Sequence, residues 1–240
     1  MSYDSDAKNQ ICPNEFLQGA KDILPMLIGT APFGLIFGVL CAENGLSFFG
    51  GQSFSLFVFA GSAQFVGVNL FGQNIGLLTI FVTTFILNLR HALYGASLGT
   101  RLTGVNKKQR MAMAFFLTDE SFSVVGRYSI VQARYYWGAA LSMYLNWQFW
   151  TLSGLIFAKY FSSLDGLEFS FLMVPAFIVI LWPQLREIIP IICAAVSALA
   201  SISLLHLPNQ LGLIIACIVG ISVALSAEIL LSLQKRKSKK

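Results

Sequence analysis

The feature that most constrains this chain is a long uncharged stretch that ends at an isolated cation. No charged residue occurs from Asn44 to Leu89, and Arg90 and His91 then appear inside the apolar run Phe85–Tyr94. An isolated guanidinium is costly in hydrocarbon, so it must face a protein interior or a wet cavity and have a partner there. Arg90 is therefore the first candidate for a functional residue.

The composition is that of a helical membrane protein. Of the 240 residues, 56% are hydrophobic and 11% are charged, and the mean hydropathy is +0.71, whereas a soluble domain is about a quarter charged. Uncharged runs of about 20 residues match a helix that crosses a bilayer, while a barrel requires short alternating strands. We therefore predict an all-α integral membrane protein that is embedded in the lipid bilayer.

The net charge of +5 does not indicate a nucleic-acid partner. The basic residues lie between apolar segments and in the C-terminal run Lys235–Lys240, where they serve as orientation signals. The four cysteines have no metal or redox spacing, and the sequence contains no zinc motif, phosphate-binding glycine loop or nucleophile elbow. We predict no cofactor, no metal and no binding of nucleic acid.

The pattern of hydropathy predicts one transmembrane domain with short polar ends. Residues 1–22 form an N-terminal cytoplasmic segment, residues 23–231 form the transmembrane domain, and residues 232–240 form a basic cytoplasmic tail. Eight apolar segments follow one another in this domain: Ile23–Ala42, Ser53–Phe71, Ile75–Leu98, Met111–Val125, Tyr136–Ala158, Phe169–Trp182, Ile188–Leu205 and Leu211–Leu231.

The number of complete crossings depends on the segments at 53–71 and 111–125. If all eight segments cross, ten basic residues lie inside and five outside, with Arg90 in the membrane. If those two segments dip in and return, fourteen lie inside and one, Lys159, lies outside. The positive-inside rule favours the second arrangement, and both arrangements place the two termini in the cytoplasm. We therefore predict a bundle of six to eight helices in which these two segments are broken or re-entrant.

Small residues mark places where helices break or pack closely. Pro32 removes a hydrogen bond from the first apolar segment, and Gly34 and Gly38 lie four residues apart on one helix face. A kinked or interrupted helix is predicted there, and the glycines favour helix packing over substrate contact. Gly61 lies in the run Ala60–Phe65, which has small and polar groups where lipid-facing sequence would have leucine. Hydrogen bonding between helices is the alternative explanation of that run.

Asp119 and Glu120 form the only acidic pair inside an apolar segment. Adjacent positions of a helix point about 100° apart, so the two carboxylates must have different roles. We expect one of them to pair with Arg90 and the other to titrate or to meet a substrate ammonium. The alternative is that both residues end a short helix near the cytoplasmic surface.

Three uncharged polar residues complete the candidate site. Gln64 and Asn88 are hydrogen-bonding groups that would line a passage, and His91 is either a proton relay or a satisfied interface histidine. A broken, polar pathway in a membrane domain favours secondary transport. The alternative functions are an intramembrane enzyme that uses Asp119, Glu120 and His91 on a lipid-soluble substrate, and a structural or assembly subunit.

Four motifs in the expected order resemble the AzlC (YgaZ-type) family of branched-chain amino-acid permeases. They are Pro32–Gly38, Phe59–Phe65, Asn88–Tyr94 and Leu117–Phe122. The resemblance covers residues 16–180 and is specific because four motifs agree in order. It implies a non-enzymatic exporter of valine, leucine, isoleucine and sometimes methionine in the bacterial inner membrane, working with a small hydrophobic subunit of the AzlD type.

The resemblance also implies roles for the candidate residues. The substrate carboxylate would meet Arg90 or the positive end of a broken helix, and its ammonium would meet Asp119 or Glu120. The aliphatic side chain would lie against phenylalanines and leucines. Protonation of the acidic pair would alternate with substrate binding, which gives export driven by protons.

Overall fold

The computed structural model describes residues 15–161, 178, 185, 188–207 and 211–237, and within these ranges it contains helices and no β-strand. The chain divides into two compact units, Met1–Ser170 and Phe171–Lys240. Helices of the first unit are α1 (Phe16–Asp22), α2 (Leu24–Glu43), α3 (Phe48–Phe57), α4 (Gly61–Gly72), α5 (Leu77–Gly99), α6 (Lys107–Phe115), α7 (Asp119–Val125) and α8 (Ala133–Phe161). Those of the second are α9 (Ile188–Ser203) and α10 (Leu211–Lys237).

Two of the described helices, α2 and α5, are long and apolar enough to cross a membrane. The sequence predicted a kinked or interrupted helix in this segment; α2 continues through Pro32, so it is not interrupted there. The side-chain amide of Asn146 on α8 donates to the Leu27 carbonyl at 3.1 Å, in the turn before the proline. The neighbouring helix thus supplies a hydrogen bond close to the position where proline removes one.

Helices α2 and α8 run side by side in the same direction, with glycines at the contact. A Cβ at Gly34 would lie 2.8 Å from the Cβ of Trp150, and one at Gly38 would lie 2.9 Å from the Cα of Gly154. Small residues at these positions let the two backbones approach closely. The structure therefore places both glycines at a helix–helix contact.

Replacing Gly38 with alanine is expected to lower the stability of the protein by about 2 kcal/mol, because the added methyl would overlap the Thr151 carbonyl oxygen. Thermal unfolding of the purified protein in detergent measures the change. Gly29→Ala on the same helix is the matched control, since no atom lies within 4 Å of a Cβ there. Equal melting temperatures for the two variants would contradict the close α2–α8 contact.

Helices α3 and α4 form a helical hairpin. The hairpin starts at the C-terminal end of α2 and returns to that same end. Helix α3 runs antiparallel to α2, and a Cβ at Gly51 would lie 2.9 Å from the Cβ of Cys41. Residues 58–60 break the helix, and α4 then runs back until Gly72 packs against Asn44, the residue that ends α2. The break falls inside the predicted segment 53–71, and the chain leaves the hairpin at the same end where it enters it.

Helices α6 and α7 form a second hairpin with the same path relative to α5. Arg110 of α6 donates to the Gly99 carbonyl at the end of α5 (2.8 Å). Residues 116–118 break the helix inside the segment 111–125. Helix α7 then runs parallel to α5. Just beyond the ends of these two helices, Arg101 donates to the Gly126 carbonyl at 2.9 Å.

The two helix-plus-hairpin arrangements point in opposite directions. Helix α4 runs parallel to α2. Helix α5 is antiparallel to α4, because Gly67 of α4 faces Thr84 of α5 while Ser62 of α4 contacts Arg90 of α5. The pattern recurs along the chain, since the long helix α2 and the hairpin α3–α4 are followed by the long helix α5 and the hairpin α6–α7. The first unit therefore contains an inverted repeat of a long helix and a broken hairpin. In transporters, sites lie where such broken helices meet.

Helix α1 lies within the predicted N-terminal segment and packs on the start of α8. Arg127 and Asp22 form an ion pair at 3.1 Å, and the Tyr135 hydroxyl donates to the same carboxylate oxygen at 2.6 Å. This cluster joins the end of α1 to the start of α8. It lies at the end of the unit where α2 begins.

Helices α9 and α10 of the second unit pack antiparallel. Gly212 packs against Leu204, and Gly220 packs against Ser197. Helix α10 extends into the tail predicted at 232–240, since it ends at Lys237. The predicted segment 169–182 lies outside the described residues except for residue 178, and a single domain over 23–231 stays a prediction.

Candidate functional site

The tips of the two hairpins lie side by side against α8. Tyr144 packs edge-on against Phe59 of the first break and Phe116 of the second, with ring centroids 4.9 and 5.0 Å apart. Its hydroxyl donates to the Leu56 carbonyl in the last turn of α3 at 3.1 Å. One residue of α8 thus contacts both breaks.

Side chains also satisfy backbone carbonyls that the breaks leave without a helical partner. The Tyr136 hydroxyl donates to the Met113 carbonyl in the last turn of α6 at 2.6 Å. Helix α7 begins with a capping box, in which Thr118 and Ser121 exchange side-chain and backbone hydrogen bonds. Irregular backbone at membrane depth requires this kind of satisfaction by protein groups.

Gln64 holds the first break from inside the packed core. Its side chain is fully buried, its Nε2 donates to the Val58 carbonyl, and its Oε1 accepts from the Trp147 indole at 2.9 Å. Gly61 lies against the same indole, and a Cβ there would be 3.2 Å from the ring. Gln64 therefore lies behind the break, whereas its sequence context predicted a position along a passage.

Arg90 joins the starts of the two returning half-helices. Its Nη1 lies 2.9 Å from the Asp119 carboxylate, and its Nη2 donates to the Ser62 hydroxyl at 2.8 Å. Ser62 lies in the first turn of α4, and Asp119 is the first residue of α7. The side chains of Arg90 and Asp119 are 37% and 39% exposed, so both remain accessible to a ligand.

The start of α4 adds a second positive element beside this pair. The cap residue Ala60 has no side-chain acceptor, so the first amides of α4 lack a side-chain cap. A helix N-terminus attracts anions through these amides and through the helix dipole. The guanidinium and the α4 terminus together favour a carboxylate at this position.

Two atoms of the ion pair are buried and unsatisfied. Among the described residues, the Nε of Arg90 and the Oδ1 of Asp119 make no hydrogen bond of ordinary geometry, although Tyr94 lies close enough to interact with Asp119. Buried polar atoms normally have partners, so this donor and this acceptor need an explanation. A ligand that carries both a carboxylate and an ammonium would satisfy one of each.

An apolar cleft of about 360 Å³ lies between α5 and the two breaks. Asn88 and His91 line it from α5, and the Oδ1 of Asn88 is buried without a partner among the described residues. Five phenylalanines contribute to its wall, from both hairpins and from α5: Phe57, Phe59, Phe81, Phe85 and Phe115.

The cleft and the ion pair lie on different sides of α5. Residues 88 and 90 project about 160° apart around a helix axis, and Arg90 does not line the cleft. The breaks connect the two places, because Ala60 lines the cleft and Ser62 contacts Arg90. In the second hairpin, Leu117 lines the cleft and likewise precedes Asp119 by two positions. The site therefore has an apolar part and a charged part that share the hairpin tips.

The structure separates the remaining candidates by their surroundings. Glu120 is half-buried in the first turn of α7 and makes no ion pair among the described residues, while its neighbour Asp119 is paired. The two carboxylates begin a helix, so the alternative that they end one is wrong. His91 packs edge-on against Tyr94, whose ring stacks on Phe122 of α7 at 4.5 Å.

Sequence reasoning missed Ser62 and Tyr144. Ser62 lies inside the motif Phe59–Phe65, so its position next to a predicted break was an available signal. Tyr144 lies in an ordinary apolar segment and has no signal of its own.

Comparison with known proteins gives consistent relatives. The family model described as AzlC protein matches residues 25–161, which is more than half of the chain. An uncharacterized membrane protein of Archaeoglobus fulgidus is 33% identical over 212 residues, which cover 85% of this chain and 92% of that protein. The inner membrane protein YgaZ of Escherichia coli is 28% identical over 226 residues, which cover 86% and 89%.

A third relative has a name that states an activity. The branched-chain amino acid transport protein AzlC of Bacillus subtilis is 28% identical over 166 residues, which cover 67% of this chain and 64% of that protein. No solved structure matches the chain significantly. The family match contains both hairpins, α5 and the scaffold helix α8. The chain therefore belongs to the AzlC family.

Proposed function

We propose that this protein is a secondary transporter that exports branched-chain amino acids across the bacterial inner membrane. The observation that carries the proposal is the position of Arg90. Its side chain contacts Ser62 and Asp119, which lie at the starts of two re-entrant half-helices that run in opposite directions. The relative from Bacillus subtilis, named for branched-chain amino acid transport, supports valine, leucine and isoleucine as the substrate class, and we propose methionine as a further substrate.

A zwitterion can replace the internal ion pair without leaving a charge unpaired. Its carboxylate takes the place of Asp119 beside Arg90 and the α4 terminus, and its ammonium takes the place of Arg90 beside Asp119. Separating a partly buried ion pair without such replacement is costly. Binding of an amino acid would therefore break the Arg90–Asp119 ion pair, which connects the tips of the two hairpins.

The cleft supplies the apolar part of recognition. Its phenylalanine walls suit an aliphatic side chain, whose burial is favourable by about 25 cal/mol per Å². Because Ala60 and the start of α4 adjoin both the cleft and the ion pair, one amino acid can reach both. We assign Asn88 and His91 to the polar edge of this part, where the Oδ1 of Asn88 is buried without a partner among the described residues.

The distribution of charge supports a cytoplasmic location for one end of the first unit. Basic residues cluster at the end where α2 begins, and Lys159 lies at the other end, near the close of α8. The positive-inside rule favours the cytoplasm for the end with more basic residues, so we propose that the N-terminus is cytoplasmic. The basic residues of that end are Lys21, Arg101, Lys107, Lys108, Arg110, Arg127 and Arg134.

Flux measurements in proteoliposomes test the function. The full chain is reconstituted alone and together with a small AzlD-type subunit, which we propose as its partner. Labelled leucine should leave the vesicles chemically unchanged and with saturable kinetics. An absence of flux in both preparations would overturn the proposal, and a new compound formed in detergent would support the intramembrane enzyme instead.

Replacing Glu120 with glutamine is expected to abolish the dependence of leucine flux on an imposed pH gradient. Asp119 is held by Arg90, so Glu120 is the carboxylate left to carry the coupling proton. Exchange of leucine at equal pH should persist. Glu43→Gln, the same substitution at an exposed position at the end of α2, is the matched control. Full gradient dependence in Glu120→Gln would remove this residue from proton coupling.

A further inference from the structure

Tyr144 lies outside the walls of the cleft but contacts the residues that form them. Its ring centroid is 4.9 Å from that of Phe59 and 6.3 Å from that of Phe115, and these two phenylalanines line the cleft from opposite hairpins. Phe116, the next residue of the second break, packs against the same ring at 5.0 Å. The spacing between two walls of the cleft therefore depends on one ring of α8.

The hydroxyl of Tyr144 fixes that ring relative to the first hairpin. It donates to the Leu56 carbonyl, which precedes the break by two residues. Phe59 is 7% exposed, so it has little room to move independently of the ring it packs against. Tyr144 lies inside α8, a continuous helix of 29 residues, so its backbone position is fixed by regular helical hydrogen bonds.

We propose that Tyr144 is a positioning residue that sets the largest side chain the cleft admits. The inference rests on the proposed transport of amino acids and adds the residue that determines their size. Packed interiors respond to changes of one methylene, so a shift of Phe59 or Phe115 changes which side chains fit. A leucine at position 144 removes the ring contacts and lets the walls separate.

The test compares phenylalanine with leucine as substrates of the full chain in proteoliposomes. Tyr144→Leu should raise the ratio of phenylalanine to leucine kcat/KM about tenfold. Tyr144→Phe keeps the ring and loses only the hydroxyl, so it should keep the wild-type ratio within about twofold. Tyr160→Leu is the matched control, since it makes the same change on α8 at a residue that is 73% exposed.

A second measurement does not depend on transport. Spin labels at Val58→Cys and Ala114→Cys, both in the cleft wall, report the distance between the hairpins in a background without the native cysteines. The distance distribution should broaden in Tyr144→Leu and stay narrow in Tyr144→Phe. An unchanged distribution together with an unchanged substrate ratio would overturn the proposal.

The outcomes separate this inference from the proposed function. If the wild-type protein moves no amino acid, transport fails while the distance measurement still tests the role of Tyr144. If Tyr144→Leu does not fold, Phe59→Leu removes the other ring of the same contact and should raise the ratio in the same direction. A wild-type ratio in a folded Phe59→Leu protein would contradict the inference.

Discussion

Asp119→Asn is expected to reduce leucine flux at least 30-fold while the protein remains folded. The substitution leaves Arg90 charged without its carboxylate partner and removes the group proposed to meet the substrate ammonium. Truncating one member of a buried charge pair costs about 2–5 kcal/mol, and the partial exposure of both side chains places this pair near the lower end. About 2 kcal/mol corresponds to roughly 30-fold in rate. Initial flux rates in proteoliposomes measure it.

Two further variants separate the function of the pair from its structural role. In the exchanged pair Arg90→Asp with Asp119→Arg, an ion pair can form again, but a carboxylate then faces the uncapped start of α4. Stability should recover while flux remains absent. Asp22→Asn breaks the other described ion pair of the first unit and should lower stability with little effect on KM. Full flux in the exchanged pair would assign the Arg90–Asp119 contact to folding alone.

Gln64→Leu is expected to lower the stability of the protein by roughly 3 kcal/mol. It leaves the Val58 carbonyl and the Trp147 indole without the partner that each has in the core. An unsatisfied buried polar group costs about 1–3 kcal/mol, and two such groups arise here. Unfolding in detergent, followed by circular dichroism, measures the loss.

A double-mutant cycle with Trp147→Phe assigns that loss to the hydrogen bonds. The double variant removes the indole that Gln64→Leu leaves unpaired, so its effect should be smaller than the sum of the single effects. Gln73→Leu, at the exposed end of α4, is the matched control and should change stability by less than about 0.5 kcal/mol. Strict additivity in the cycle would show that Gln64 acts through packing.

The sequence predicted the elements of the site better than their arrangement. An arginine in an uncharged run requires a partner, and this physical requirement pointed to the acidic pair that contains Asp119. Polar and small residues inside apolar segments indicated the two breaks, because continuous lipid-facing helices have no reason to include them. These inferences needed only the local cost of burying polar groups.

Other features depend on contacts between distant parts of the chain. Gln64 looks the same in sequence whether it faces water or holds a backbone carbonyl, and only the position of Trp147 decides between them. Tyr144 acquires its role because α8 passes both hairpin tips. Pro32 was expected to kink or interrupt α2, but the helix continues through it, and Asn146 of α8 donates to the Leu27 carbonyl in the preceding turn.

The short lengths of α4 and α7 bear on where the membrane potential would fall across the protein. Helices α4 and α7 contain 12 and 7 residues, about 18 and 10 Å of helix, while the hydrocarbon layer is about 30 Å thick. Neither spans it, so under the proposed transport function only a thin septum of protein at the hairpin tips would separate the two aqueous compartments. The membrane potential would fall mostly across that septum, and a proton passing it would experience nearly the full 2.3 kcal/mol per 100 mV.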